Sequence, residues 1–99
     1  MNDTEKQEII EKLKTIKNIG PKMAEKLYNA GIYDFESLVR IGTEDVYLMV
    51  DESGGFCGTH HAAYLYAIEA AIINCRWQDV PEDRKNELKD FAKKLRETQ

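Results

Sequence analysis

The stretch Leu13-Lys14-Thr15-Ile16-Lys17-Asn18-Ile19-Gly20-Pro21-Lys22-Met23-Ala24-Glu25-Lys26-Leu27-Tyr28-Asn29-Ala30-Gly31-Ile32 decides the fold. Gly20-Pro21 ends one helical segment and starts another, because proline's fixed φ suits the first turn of a helix and its missing N–H is not needed there. Asn18 and Gly20 both tolerate unusual backbone angles, with Gly20 expected at positive φ, and Ile19 between them is an apolar plug. The second helix is expected over residues 21–29. Ala24, Leu27 and Tyr28 form its inner face, and Gly31 is the left-handed residue past its end. Upstream, Ile9, Ile10, Leu13 and Ile16 recur at three- and four-residue spacing, so a first helix capped by Asp3 or Thr4 runs to residue 16 or 17.

Working outward, Asp34 is a good N-cap for a short helix over residues 35–41, which Gly42 stops. Thr43 is expected to cap a fourth helix, and the glycine-rich stretch 51–58 cannot continue it. Thr59 is expected to cap a fifth helix over residues 60–76. Its segment from Ala62 to Ile73 is apolar nearly all round, the pattern of a helix enclosed by others. Pro81 opens a last amphipathic helix to about residue 97, with Leu88, Phe91, Ala92 and Leu95 facing inward. No period-two alternation is sustained, so no strand is expected. The fold class is all-α: a compact bundle of five or six helices containing a helix-hairpin-helix element at about residues 9–30, of the SAM/HhH-like kind.

The chain has 99 residues, 42% of them hydrophobic and 32% charged, which fits a single domain over residues 1–99. The longest apolar run, broken by Glu69, falls short of the roughly 20 residues that cross a bilayer, and the N-terminus lacks the apolar core of a secretory signal. A cytoplasmic chain with no membrane partner is expected, its two cysteines remaining thiols. The net charge of −4 gives no global attraction for nucleic acid, so any polyanion site must be local. Charge is in fact segregated. Lys14, Lys17, Lys22 and Lys26 face only Glu25 across residues 14–26, whereas residues 34–52 hold six acids against Arg40.

Backbone amides after Gly20 would point outward at the start of the second helix, where free N–H groups and the positive end of the helix dipole favour an anion. The candidate nucleic-acid-binding residues are therefore Lys17, Asn18, Ile19, Gly20, Lys22, Met23 and Lys26, the lysines adding cationic reach at the rim. The plainer reading is an ordinary tight turn that only sets a helix crossing angle, its lysines solvated. The segment resembles the helix-hairpin-helix family of non-specific DNA-binding modules, whose turn reads apolar-Gly-apolar-Gly-x-x-Ala. Gly20 and Ala24 match that turn, and Asn18 stands at the first glycine.

A broader resemblance adds Gly31-Ile32, Leu38, Tyr64-Leu65-Tyr66-Ala67-Ile68-Glu69-Ala70-Ala71-Ile72, Trp77, Pro81 and Arg84-Lys85 before Leu88. Together with the hairpin, these residues are similar to the C-terminal domain of the TfoX/Sxy competence regulators. The resemblance implies a bacterial regulator of DNA-uptake competence or transcription, without that family's usual N-terminal domain.

Cys57, His60, His61 and Cys75 are soft metal-ligand types, but their spacing fits no pair of knuckles, and adjacent histidines at a helix start point apart. No metal and no cofactor is expected. No phosphate loop, carboxylate pair or triad order is visible, so the module is expected not to be an enzyme. Glu69 in the core helix should reach a backbone N–H or a tyrosine hydroxyl. Trp77 reads as a packing wedge more than a base-stacking platform, and Lys85, Lys89 and Lys93 as a solvated face. Two functions follow. One is weak, sequence-independent binding of double-stranded DNA through its phosphate backbone. The other is a protein-interaction adaptor whose acidic or apolar surface, around residues 34–52, docks a transcription or competence protein. The oligomeric state is not legible.

Overall fold

The computed structural model describes residues 3–56 and 62–97. Its helices are α1 (Asp3–Lys14), α2 (Pro21–Asn29), α3 (Phe35–Ile41), α4 (Thr43–Glu52), α5 (Ala62–Ile73) and α6 (Glu82–Glu97), with a 3₁₀ turn at Trp77–Asp79 between the last two. Among the described residues there is no strand, and no helix is long and apolar enough to cross a membrane. The all-α bundle expected from periodicity is what forms.

The helices enclose one cluster of apolar side chains to which every α-helix contributes: Leu13, Leu27, Leu38, Tyr47, Leu65 and Leu88 are each fully buried. α1 packs on α2, and α5 packs against α3, α4, α6 and the 3₁₀ turn. This explains why α5 is apolar on most sides, with Leu65, Tyr66, Ile68, Ala70 and Ala71 all buried. Tyr47 anchors the middle of the core. Its ring stacks on Phe56 at 4.5 Å and meets Phe91 edge-on at 6.3 Å, and burial pushes its hydroxyl up to about 12.

Local signals set several boundaries. The Asp34 carboxylate accepts the Ser37 amide at 2.8 Å, capping α3, and Gly42 at φ 90° ends it. Gly31 at φ 89° follows α2, as its sequence position required. Elsewhere the expectations need correction. α1 stops at Lys14, its last turn loosening into i to i−3 bonds at Thr15 and Ile16. α4 runs on through Asp51 and Glu52, and its N-cap is Gly42. Thr43 does not cap it: the Thr43 hydroxyl, on a residue only 3% exposed, donates to Glu69 Oε1 at 2.6 Å. Within the described residues α5 ends at Ile73, three residues early, where Asn74 turns left-handed at φ 57°. The expected cap at Thr59 lies outside the described residues.

Glu69 finds neither of its expected partners. Besides Thr43 it accepts Arg84 Nε at 3.0 Å, while the two terminal guanidinium nitrogens of Arg84 bind the Glu44 carboxylate at 2.6 and 2.8 Å. Arg84 thus ties α6 to α4 and α5 with a planar fork, the geometry for which a guanidinium is suited. The hydrogen bond from Arg84 holds the Glu44 carboxyl below its ordinary range, and the same contacts raise the guanidinium above its own.

Candidate nucleic-acid interface

The hairpin turn is built by a change of backbone hand at Asn18. Ile19 N–H closes a turn on the Ile16 carbonyl at 3.0 Å, and Asn18 takes φ 74°, the left-handed region that asparagine enters at lower cost than most residues. Ile19 then dives into the core, 4% exposed, and plugs the angle between α1 and α2. Gly20 is extended, at φ −93° and ψ −176°, so the expectation of positive φ there is overturned. A Cβ at Gly20 would meet nothing within 4 Å. The strained position is Asn18, two residues earlier, because the chain must change hand before the Ile19 plug and can then straighten into Pro21.

Downstream of Gly20 the first intrahelical bond runs from the Ala24 amide to the Gly20 carbonyl at 2.9 Å. The amides of Lys22 and Met23 precede it. Gly20 offers no side chain to cap them, and no acidic residue occupies the first turn of α2. The helix therefore begins with uncapped donors and no local carboxylate, a combination that leaves the dipole's positive end open to an external anion.

The candidate residues divide by what already occupies them. Lys17, Gly20 and Lys22 are exposed, Met23 is half-buried and Ile19 is buried. Asn18 is committed internally, its side-chain Nδ2 donating to the Cys75 carbonyl at 2.6 Å. Lys26 is likewise occupied: Nζ donates to the Gly55 carbonyl at 2.5 Å and stands 6.0 Å over the Phe56 ring, holding α2 to the loop after α4. The site thus comprises two amides and two free-standing lysines, with Asn18 and Lys26 as its supports. A cavity of about 320 Å³ opens beside it between Lys22, Lys26, Asn29 and Ser53.

The structure also brings to this edge residues that the sequence reading set apart. The 3₁₀ turn after α5 carries Trp77, 47% exposed, its ring offset from and near-parallel to that of Tyr66, with centroids 6.4 Å apart and an interplanar angle of 21°. The wedge expected at Trp77 is thus only partly covered. Arg76 pairs with Asp79 at 3.0 Å, and Lys85 Nζ reaches the Gln78 carbonyl at 3.3 Å. The hydrogen bond from Arg76 holds the Asp79 carboxyl below its usual range, with Lys17 and Lys85 adding their charges. No short-range sequence signal links residue 17 to residue 79; the Asn18–Cys75 bond makes them neighbours.

Of the soft-ligand residues, Cys57, His60 and His61 lie outside the described residues. Cys75 is half-buried, its thiol directed at the Arg76 carbonyl at 3.2 Å. Among the described residues no group of three His, Cys, Asp or Glu side chains converges.

Comparison with known proteins gives one family. The family model described as the TfoX C-terminal domain matches residues 9–92. No curated protein and no solved structure matches the chain.

Proposed function

The chain belongs to the TfoX C-terminal domain family, and from that premise we propose that it is a non-catalytic regulatory module that holds nucleic-acid phosphates weakly at its hairpin turn. The observation that carries this reading is the uncapped start of α2. Gly20 leaves the Lys22 and Met23 amides without a side-chain acceptor, and Lys17 and Lys22 stand exposed beside them. Two amides and two ammonium groups suit phosphate oxygens and carry no base information, so binding is independent of sequence. A role in competence or transcription accords with the family. Fluorescence anisotropy of a labelled short duplex at low salt tests it: weak binding lost in Lys22→Glu supports the reading, and no binding refutes it.

A second reading has its own observation. Tyr33, Phe35 and Val39 are 40%, 41% and 49% exposed on or just before α3, beside a cavity of about 250 Å³ that Ile16 also lines. An apolar patch of this kind suits a protein partner. The adaptor function takes precedence if duplex DNA is not bound and Phe35→Glu abolishes capture of a transcription or competence protein.

A further inference from the structure

We infer that Trp77 is a base-stacking platform, so that the module prefers single-stranded to double-stranded nucleic acid. This rests on the phosphate reading of the hairpin and extends it from backbone to base.

Three observations converge. Trp77 is the chain's single tryptophan, and it is nearly half exposed on a short 3₁₀ turn. Its ring runs near-parallel to that of Tyr66, a buried residue on the core helix, with centroids 6.4 Å apart, an offset contact that restrains one edge of the indole. Second, the platform is tied to the phosphate site. Asn18 of the hairpin bonds the carbonyl of Cys75, two residues before Trp77, which limits the intervening chain to about 7 Å. The Trp77 turn and the hairpin therefore share one edge of the molecule. Third, the edge between them is cationic. Lys17, Arg76 and Lys85 surround Asp79, which their charges already compensate.

A nucleobase is the occupant this combination fits. Every base has a π-face, and a supported aromatic ring with cations along one side is how sequence-tolerant single-strand sites are made. In a duplex the bases are already stacked on each other, and Trp77 gains nothing. An unpaired base can lie on the exposed indole face while a phosphate of the same strand sits at the Lys22 and Met23 amides.

Because there is one tryptophan, its emission reports the contact directly. The full chain is titrated with a short oligo(dT) strand, an abasic strand of equal length, and a duplex, following both Trp77 emission and anisotropy of the labelled strand. Saturable quenching by oligo(dT), with tighter binding than to the abasic strand or the duplex, is the expected result. Trp77→Ala should weaken oligo(dT) binding by about tenfold or more, the scale of one lost base–aromatic stack, and leave abasic-strand affinity unchanged. Trp77→Phe should keep most of the preference, and Lys17→Glu should weaken all three nucleic acids alike. Equal affinity for oligo(dT) and the abasic strand without quenching overturns the platform while leaving the phosphate reading intact. Failure of all three to bind overturns both. Should Trp77→Ala not fold, the native quenching comparison decides alone.

Discussion

Asn18 and Cys75, 57 residues apart, are joined by a 2.6 Å hydrogen bond from the Asn18 side chain to the Cys75 backbone carbonyl, so the hairpin turn is fastened to the end of the core helix. Asn18 also carries the turn's left-handed backbone, at φ 74°. One residue therefore supplies both the conformation and the tether. Asn18→Ala loses both and should destabilise by about 1–3 kcal/mol, whereas Asn18→Gly keeps the backbone and should cost only about 0.5–1.5 kcal/mol. Gly20→Ala should be close to neutral, since Gly20 is extended with open space at its Cβ position. Thermal melting ranks the three. A Gly20→Ala protein melting below Asn18→Ala would contradict this account of the turn.

Glu69 should tolerate replacement better than its apolar neighbours. In Glu69→Leu the Arg84 fork keeps both of its bonds to Glu44, and the losses are a partner for the buried Thr43 hydroxyl and one for Arg84 Nε, together costing about 1–3 kcal/mol. Leu65→Ala and Ile68→Ala each empty a fully buried position and should cost about 2–5 kcal/mol. Denaturant midpoints should place Glu69→Leu above both alanine variants. The reverse order would make the carboxylate, with its links to α4 and α6, the organising centre of the bundle.

The parts of the fold legible in sequence are those set by neighbours along the chain. α2 and α3 begin and end where Pro21, Asp34 and Gly42 place them, because a proline at the first turn, an Asx cap and a glycine stop act within four residues. The errors lie where a side chain has a choice of partners. Thr43 has the local profile of a cap, yet a carboxylate 26 residues away takes its hydroxyl. Lys26 reads as a rim cation, and a carbonyl 29 residues away removes it from the rim. Gly20 drew the positive φ by its residue type, while the register of the Ile19 plug required it at Asn18. The proximity of Trp77 to the hairpin had no sequence signal, since a long-range hydrogen bond creates it.

Acid should destabilise the bundle in part through Glu44. The Arg84 hydrogen bond lowers its folded-state pKa below the ordinary value of 4.5, so the stabilising contribution is complete above that value and is lost as pH falls through the lower folded value. Asp34, bonded by the Ser37 amide, and Asp79, bonded by Arg76, share this direction. Urea denaturation between about pH 3 and pH 6 should show stability declining below the ordinary glutamate range. Glu44→Gln should make that decline shallower without abolishing it. An unchanged slope would show that Glu44 gains nothing from Arg84 on folding.

Tyr66→Phe should be neutral or stabilising by up to about 1 kcal/mol. The Tyr66 hydroxyl is buried with no hydrogen-bond partner among the described residues, and burial raises its pKa. An unpartnered buried hydroxyl opposes folding, so its removal relieves a desolvation cost while the ring that supports Trp77 remains. Equilibrium unfolding checks the sign. A loss of more than about 1 kcal/mol would mean that the hydroxyl is satisfied, against this account.

Duplex binding should show a shallow salt dependence, because the structure subtracts from the cations available. With Lys26 spent on Gly55 and the Phe56 ring, only Lys17 and Lys22 remain exposed at the turn, enough to neutralise about two phosphates. The logarithm of the association constant should then fall against log salt with a slope of about −2. With a net charge of −4 opposing it, the dissociation constant at physiological salt should lie at or above roughly 10⁻⁴ M. Lys22→Glu should weaken binding to every sequence alike, since a lysine on a phosphate attracts without reading bases. Lys26→Met should instead lower the melting temperature and leave the salt slope near its native value, because its ammonium holds the loop after α4. Binding indifferent to both Lys17 and Lys22, or a slope unaffected by their loss, would exclude the hairpin as the contact and transfer the function to the apolar face of Tyr33, Phe35 and Val39.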